Sequence, residues 1–131
     1  MPTINEPCRC GSGELYDDCC GPLHRRERTA TTAVALMRSR FCAFAVGDTD
    51  YLLATWDRRH RPATLSLDED TTWRRLQIVD TEAGTENDVT GMVQFRAQYQ
   101  RDGSRHILHE RSRFVRDNRG DWVYLDGVFV E

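Results

Sequence analysis

The stretch Val93-Gln94-Phe95-Arg96-Ala97-Gln98-Tyr99-Gln100-Arg101-Asp102-Gly103-Ser104-Arg105-His106-Ile107-Leu108-His109-Glu110 decides the fold class. Val93, Phe95, Ala97 and Tyr99 alternate with polar residues, which is the period of a strand with one buried face. Asp102-Gly103 is a hairpin signal. Outward from it, Trp73–Glu82, Asp88–Arg101, Arg105–Arg116 and Asp121–Val130 read as strands, separated by turn residues at Gly84–Asn87, Asp102-Gly103 and Asp117–Gly120. Upstream the period changes. Ala33, Leu36, Met37, Phe41, Phe44 and Ala45 recur at helical spacing, with Thr31 or Thr32 as cap and Gly47 as stop after about Val46. Asp48 or Thr49 caps a shorter helix through Ala54, and a turn over Trp56–Arg61 ends before Pro62. Helices followed by an antiparallel meander predict an α+β fold.

The chain has 131 residues, 39% hydrophobic and 30% charged, which suits one packed domain and no membrane span. A net charge of −3 argues against a dedicated nucleic-acid binder. All 18 basic residues are arginine, which excludes Schiff-base, general-base and phosphate-loop lysine chemistry. Met1–Pro7 is polar and carries no export signal, so a cytoplasmic location is expected.

Cysteine is the other anomaly. Cys8-Arg9-Cys10-Gly11-Ser12-Gly13-Glu14-Leu15-Tyr16-Asp17-Asp18-Cys19-Cys20-Gly21 crowds four thiols into thirteen positions. Disulfides are disfavoured by a reducing cytosol, and a bond between the neighbours Cys19 and Cys20 would be strained. Four soft thiolates suit Zn²⁺ in a closed tetrahedral site, and they also suit iron. Gly11 and Gly13 can adopt the positive φ that ligands one residue apart demand. His24 is a fallback ligand, and Cys42, on the first long helix, is expected to be a buried structural thiol.

The spacing Cys-x-Cys-Gly-Ser-Gly-x-x-Tyr-x-x-Cys-Cys-Gly resembles the SEC-C motif, the zinc-binding element at the C-terminus of the SecA translocation ATPase and in many other bacterial proteins. The resemblance implies Zn²⁺ on Cys8, Cys10, Cys19 and Cys20, with Arg9 where most members carry proline. A second resemblance covers nearly the whole chain. Leu36–Phe41, Tyr51–Trp56, His109–Phe114 and Trp122–Gly127 are similar to the YchJ family of uncharacterised bacterial proteins. That likeness implies a zinc knuckle followed by a nuclear-transport-factor-2-like cone, a curved antiparallel sheet wrapped around helices. The expected domains are therefore 1–28, the knuckle and its connector, and 29–131, the cone. Zinc binding in such knuckles is worth on the order of 10–16 kcal/mol, enough to staple a segment too short for its own core.

Cone folds host enzymes as well as binding domains. An enzyme of this type needs a carboxylate or histidine facing an apolar pocket. The candidate pocket residues are Tyr51, Trp56, Trp73, Tyr99, Glu110, Tyr124 and Asp126. Strand parity sets His106, Leu108, Glu110, Ser112 and Phe114 on one face, which takes Glu110 inward. There it is expected to pair with Arg38 or Arg40 rather than to act as a base. His106 and His109 read as surface or hydrogen-bonded residues, Arg58, Arg59, His60 and Arg61 as a solvated basic turn, and Asp68-Glu69-Asp70 as a loop. The leading functional expectation is a non-enzymatic zinc-binding protein whose knuckle contacts a protein partner or the ribosome. The alternative is a cone that binds or transforms a small hydrophobic molecule, or thiols that bind iron or traffic metal. A homodimer through the outer sheet face is a further expectation of the cone type.

Overall fold

A computed structural model describes residues 6–130, so most of the polar opening segment used to argue location lies outside the described residues. A single 3-10 turn at Tyr16–Asp18 leads into the short helix α1 (Cys20–His24), the central helix α2 (Ala33–Val46) and α3 (Thr49–Ala54). Four strands follow: β1 (Thr71–Ala83), β2 (Thr90–Arg101), β3 (Ser104–Arg116) and β4 (Trp122–Phe129). The α+β class read from the sequence is the one observed.

Thr32 begins α2 as expected, its hydroxyl accepting from the Ala35 N–H at 3.1 Å. The Ala33 N–H, a second donor that the helix itself leaves unpaired, reaches the Gly84 carbonyl in the β1–β2 turn at 2.9 Å. Gly47, at φ +81°, ends the helix in the left-handed region, and the Asp48 carboxylate caps α3 through the Tyr51 N–H at 3.0 Å.

The sheet is an antiparallel meander in the order β1-β2-β3-β4. Asp102 (φ +53°) and Gly103 (φ +79°) make the tight β2–β3 hairpin. Leu76, Val93, Phe95, Ala97, Phe114 and Trp122 close on Ala33, Leu36, Met37 and Phe41 of α2 to form the main core. The outer face carries polar pairs, including Arg111–Gln94 at 2.8 Å and a two-pronged Arg113–Asp126 ion pair at 2.7 and 2.5 Å. Register shifts occur at two places between β1 and β2 and at one between β3 and β4. Such bulges bend strands and deepen twist, which is how four strands curve around a helix. The segment after α3 covers the free edge of β4. Tyr124 donates to the Thr55 carbonyl and accepts from the Asp57 N–H, both at 2.7 Å. Among the described residues, no helix is long and apolar enough to cross a membrane.

The opposite side of α2 is also covered. Cys42 joins a thiol cluster with Cys8, Cys10 and Cys20, and Ala43 packs with Tyr51 and Leu52 of α3. Where α2 starts, the sheet comes so close that Gly84 and Gly91 are needed. A β-carbon on Gly91 would stand 2.6 Å from the Gly84 α-carbon and 3.1 Å from the Ala33 β-carbon. Gly91→Ala should therefore destabilise the fold by about 1–3 kcal/mol, the usual cost of overpacking, read as a lowered urea midpoint with an unchanged slope. An unaltered midpoint would mean that the contact relaxes freely.

Candidate metal centre and cone cavity

The knuckle is a miniature hairpin. The Cys8 N–H donates to the Glu14 carbonyl at 2.7 Å and the Tyr16 N–H to the Glu6 carbonyl at 2.9 Å, while Gly11 and Gly13 turn the chain at φ +83° and +88°. The 3-10 turn and α1 then bring the second pair of thiols over the first. The Sγ atoms of Cys8, Cys10, Cys19 and Cys20 all lie within 4.8 Å of one another. Cys10–Cys19 is 3.6 Å and Cys19–Cys20 is 4.0 Å. A tetrahedron with metal–sulfur bonds of about 2.3 Å has edges of about 3.8 Å, so the donor set fits a four-coordinate thiolate-bound ion. All but Cys19 are buried.

Crowding splits the proton affinities of the thiols. Hydrogen bonds from the Cys10 and Cys20 thiols draw Cys8 down to about 6. Burial pushes Cys19 up to about 11, and sulfur neighbours, Cys10 first, push Cys20 up as well. The hydrogen bond with the Cys20 thiol likewise draws Cys42 down to about 5, so two thiolates are stabilised at the expense of their neighbours. A divalent cation removes that conflict by giving every thiolate an opposite charge.

Three struts fasten the knuckle to α2. Arg38 donates to the Cys10 carbonyl at 2.9 Å. His24 is neither a ligand nor a free surface residue: Nε2 donates to the Ser39 carbonyl at 2.9 Å and Nδ1 meets the Tyr16 hydroxyl at 2.7 Å. Cys42, fully buried, stands 3.9 Å from the Cys8 sulfur. Its expected burial is observed, but against the thiol cluster rather than in the main core. No periodicity in the sequence links a cysteine on α2 to a motif 22 residues upstream.

On the sheet side of α2 the cone holds a cavity of about 250 Å³. Of the candidate pocket residues, Trp56, Trp73, Glu110 and Tyr124 line it together, and the remaining three stand elsewhere. Tyr51 turns towards the knuckle, its hydroxyl 2.7 Å from Ser39 Oγ and its ring against His24. Tyr99 lies behind Trp73 and stacks on His106. Asp126 would share a face with Tyr124 in a regular strand, but the register shift between Arg113 and Phe114 turns it outward to Arg113. Arg40 and Ser112 border the cavity too.

Neither arginine forms the expected ion pair with Glu110. Arg38 serves the knuckle, and Arg40 Nη1 donates to the Leu52 carbonyl and to Thr55 Oγ1 at 2.7 and 2.8 Å. Glu110 instead accepts from the Ser112 hydroxyl at 2.5 Å, and its carboxylate fills the space over Gly127, where a β-carbon would meet it at 2.5 Å. Burial raises the Glu110 carboxyl above its usual range, and the Ser112 hydroxyl and the Arg40 charge counter only part of that. Burial also lowers Arg40, to about 10, so it remains cationic at neutral pH.

A second concavity of about 920 Å³ lies between the connector after α1, the turn after α3 and the β3–β4 turn. Seven arginines and three acids, Asp57, Asp117 and Asp121, border it. Among the described residues five of the seven, Arg26, Arg28, Arg58, Arg61 and Arg119, have neither a carboxylate within ion-pair distance nor a carbonyl bonded to the guanidinium. Arg59 and His60, by contrast, gather on Asp57.

A family model described as the middle NTF2-like domain of YchJ matches residues 32–127, and the SEC-C motif model matches residues 5–22. A UPF0225 protein of Streptomyces coelicolor is 53% identical over the full length of both chains, and one of Corynebacterium efficiens is 48% identical over 95% of this chain and 94% of its own. The solution structure of a SEC-C motif containing protein from Rhodopseudomonas palustris superposes with a TM-score of 0.81 at 36% identity, covering 96% of this chain and all of that one. The crystal structure of a SEC-C motif containing protein from Psychrobacter arcticus gives 0.74 at 26% identity, covering 95% and 82%.

Glu110 supplies a pH test of the cavity. Its folded pKa lies above the usual 4.5, so the native state holds this proton more tightly than the unfolded chain does. Its contribution is present below the ordinary carboxylate range and is lost as pH rises through the folded value. Glu110→Gln should therefore gain stability relative to the unaltered protein as pH rises from 4.5 towards neutrality, read from urea midpoints across that range. Parallel pH profiles for the two proteins would show that this carboxyl titrates normally.

Proposed function

Because the chain belongs to the YchJ-like family, with a SEC-C motif beside an NTF2-like domain, we propose that it is a zinc-binding interaction protein. In this reading Cys8, Cys10, Cys19 and Cys20 hold one Zn²⁺ in a closed structural site, and the surface that the folded knuckle completes docks on the ribosome. The observation that carries the metal half is the meeting of four thiols within 4.8 Å. Such a set leaves the ion no open position, which suits a structural rather than a catalytic role. Zinc fits better than iron because a small, redox-silent knuckle needs only a staple, and its metal-binding free energy is its folding free energy.

The ribosome fits the partner half because of the arginine-bordered cleft. Guanidinium groups recognise phosphate through paired, planar hydrogen bonds, and unpaired arginines on a concave surface have no internal partner to give up. A whole-chain charge of −3 does not describe this region, whose lining sets seven arginines against Asp57, Asp117 and Asp121. The knuckle helps to build the cleft: Arg26 and Arg28 follow directly from α1, whose first residue is the ligand Cys20. A cytoplasmic location accords with such a partner.

The chain is divided in this proposal into 1–28 and 29–131. The main core contains no knuckle residue, which supports the division, while the thiol cluster takes in Cys42 and Val46 and Leu23 packs on Ala43, Tyr51 and Leu52. Protein purified without added metal should carry about one zinc per chain. Cys19→Ser should lose the metal and collapse the amide signals of the knuckle while those of the sheet keep their dispersion. Bound iron with visible colour would overturn the zinc assignment, and a spectrum collapsed throughout would overturn the division. Charge reversal by Arg28→Glu with Arg61→Glu should weaken co-sedimentation with ribosomes at least tenfold and flatten its dependence on salt. Undiminished co-sedimentation would end the reading of the cleft.

A further inference from the structure

The cone cavity combines an apolar wall with a cation that the protein leaves partly unused. Met37, Phe41, Phe44, Trp73, Phe95 and Leu108 supply half of the lining residues. Arg40 is only 4% exposed, and its guanidinium lies over the rings of Tyr124 and Trp56, 4.9 and 5.5 Å from their centroids. One nitrogen, Nη1, takes both protein acceptors. Among the described residues, Nε and Nη2 have no hydrogen-bond partner, although no fully enclosed side-chain nitrogen or oxygen is left unsatisfied. Those two nitrogens therefore border reachable space, and the cavity is the space that Arg40 lines.

A buried arginine without a carboxylate at ion-pair distance is an unusual expense of solvation energy. Its free edge presents two parallel N–H donors, the arrangement that matches a carboxylate in a two-pronged bond. Tyr124, whose ring lies under the Arg40 guanidinium, and Glu110, whose Oε2 is already engaged by the Ser112 hydroxyl, line the same cavity. The free edge of Arg40 is a cationic two-pronged donor with no partner among the described residues, and it calls for one two-oxygen anion from the occupant. An engineered cavity of about 150 Å³ takes benzene, so one of this size accommodates a fused two-ring body.

We infer that the cone is a binding site for a compact, apolar-bodied monocarboxylate, whose carboxylate pairs with the free edge of Arg40 while its ring system packs among Phe41, Trp73, Phe95 and Leu108. The site is independent of the metal centre and of the arginine-bordered cleft. α2 separates it from the thiols, and none of the cleft's seven arginines lines it, Trp56 alone being a wall of both among the lining residues.

The test compares two probes of the same shape, 2-naphthoate and neutral 2-naphthamide, followed by amide chemical shifts of the full-length protein. Naphthoate should saturate, with the largest shifts at Arg40, Ala97, Leu108 and Ser112, and the amide should bind at least tenfold more weakly. Arg40→Met should abolish the preference for the charged probe. Ala97→Leu, which fills the cavity and keeps every charge, should abolish binding of both probes, so the outcome does not depend on Arg40→Met folding. Equal binding of the two probes, shifts confined to the arginine-bordered cleft, or no saturable shift with naphthoate would each overturn the assignment.

Discussion

The fold depends on one constraint: α2 is covered on two opposite sides at once. Leu36, Met37 and Phe41 seal the curved sheet, while Cys42 and Ala43 receive the knuckle and α3. A surface helix needs one apolar stripe, but a helix enclosed by two layers needs apolar or small residues nearly all round. That explains the composition of Ala33–Val46, where eight residues are buried and the two buried polar ones each make hydrogen bonds. Ser39 bonds the Leu36 carbonyl and the Tyr51 hydroxyl, and Arg40 bonds the Leu52 carbonyl of α3 and the Thr55 hydroxyl just after it.

This shared wall joins the knuckle to the rest of the molecule: Cys42 and Val46 enter the thiol cluster, and Leu23 packs on Ala43, Tyr51 and Leu52. The knuckle grips α2 through groups that satisfy real donors and acceptors, Arg38 with the Cys10 carbonyl and His24 with the Ser39 carbonyl. A directional bond to a carbonyl fixes orientation more firmly than apolar contact does, and a small hairpin has little apolar surface to offer. The sheet, in turn, uses bulges to curve round the same helix. Curvature that exceeds the girth of α2 leaves the cavity in which Glu110, Ser112, Tyr124 and Arg40 converge.

The arginine-only composition acquires meaning from placement. Arg38 holds the knuckle, Arg116 binds three carbonyls behind Trp122, Arg113 pairs on the outer sheet, and Arg40 lies buried beside aromatic rings. These are structural duties that a planar guanidinium with several donors performs better than a compact ammonium. Five of the seven arginines bordering the cleft, Arg26, Arg28, Arg58, Arg61 and Arg119, have neither a carboxylate nor a carbonyl partner for their guanidinium groups among the described residues, so they perform none of these structural duties.

Local pattern alone carried the elements of this protein. Thr32, Gly47 and Asp48 bound the helices because caps act within one turn, and Asp102-Gly103 bounds its hairpin because only a few residue types accept positive φ. The four metal-ligand candidates were equally legible, since the spacing of ligands within thirteen residues is itself the geometry of a knuckle. Tertiary structure alone decided what depended on distance through space. It set Cys42 against Cys8, engaged both ring nitrogens of His24, and gave Glu110 a serine rather than an arginine. It also separated Asp126 from Tyr124 by a bulge that no residue type announces. Parity and spacing count positions along one chain, whereas a partner is chosen by which surfaces the packed layers bring within about 3–4 Å, and packing is settled by the whole molecule at once.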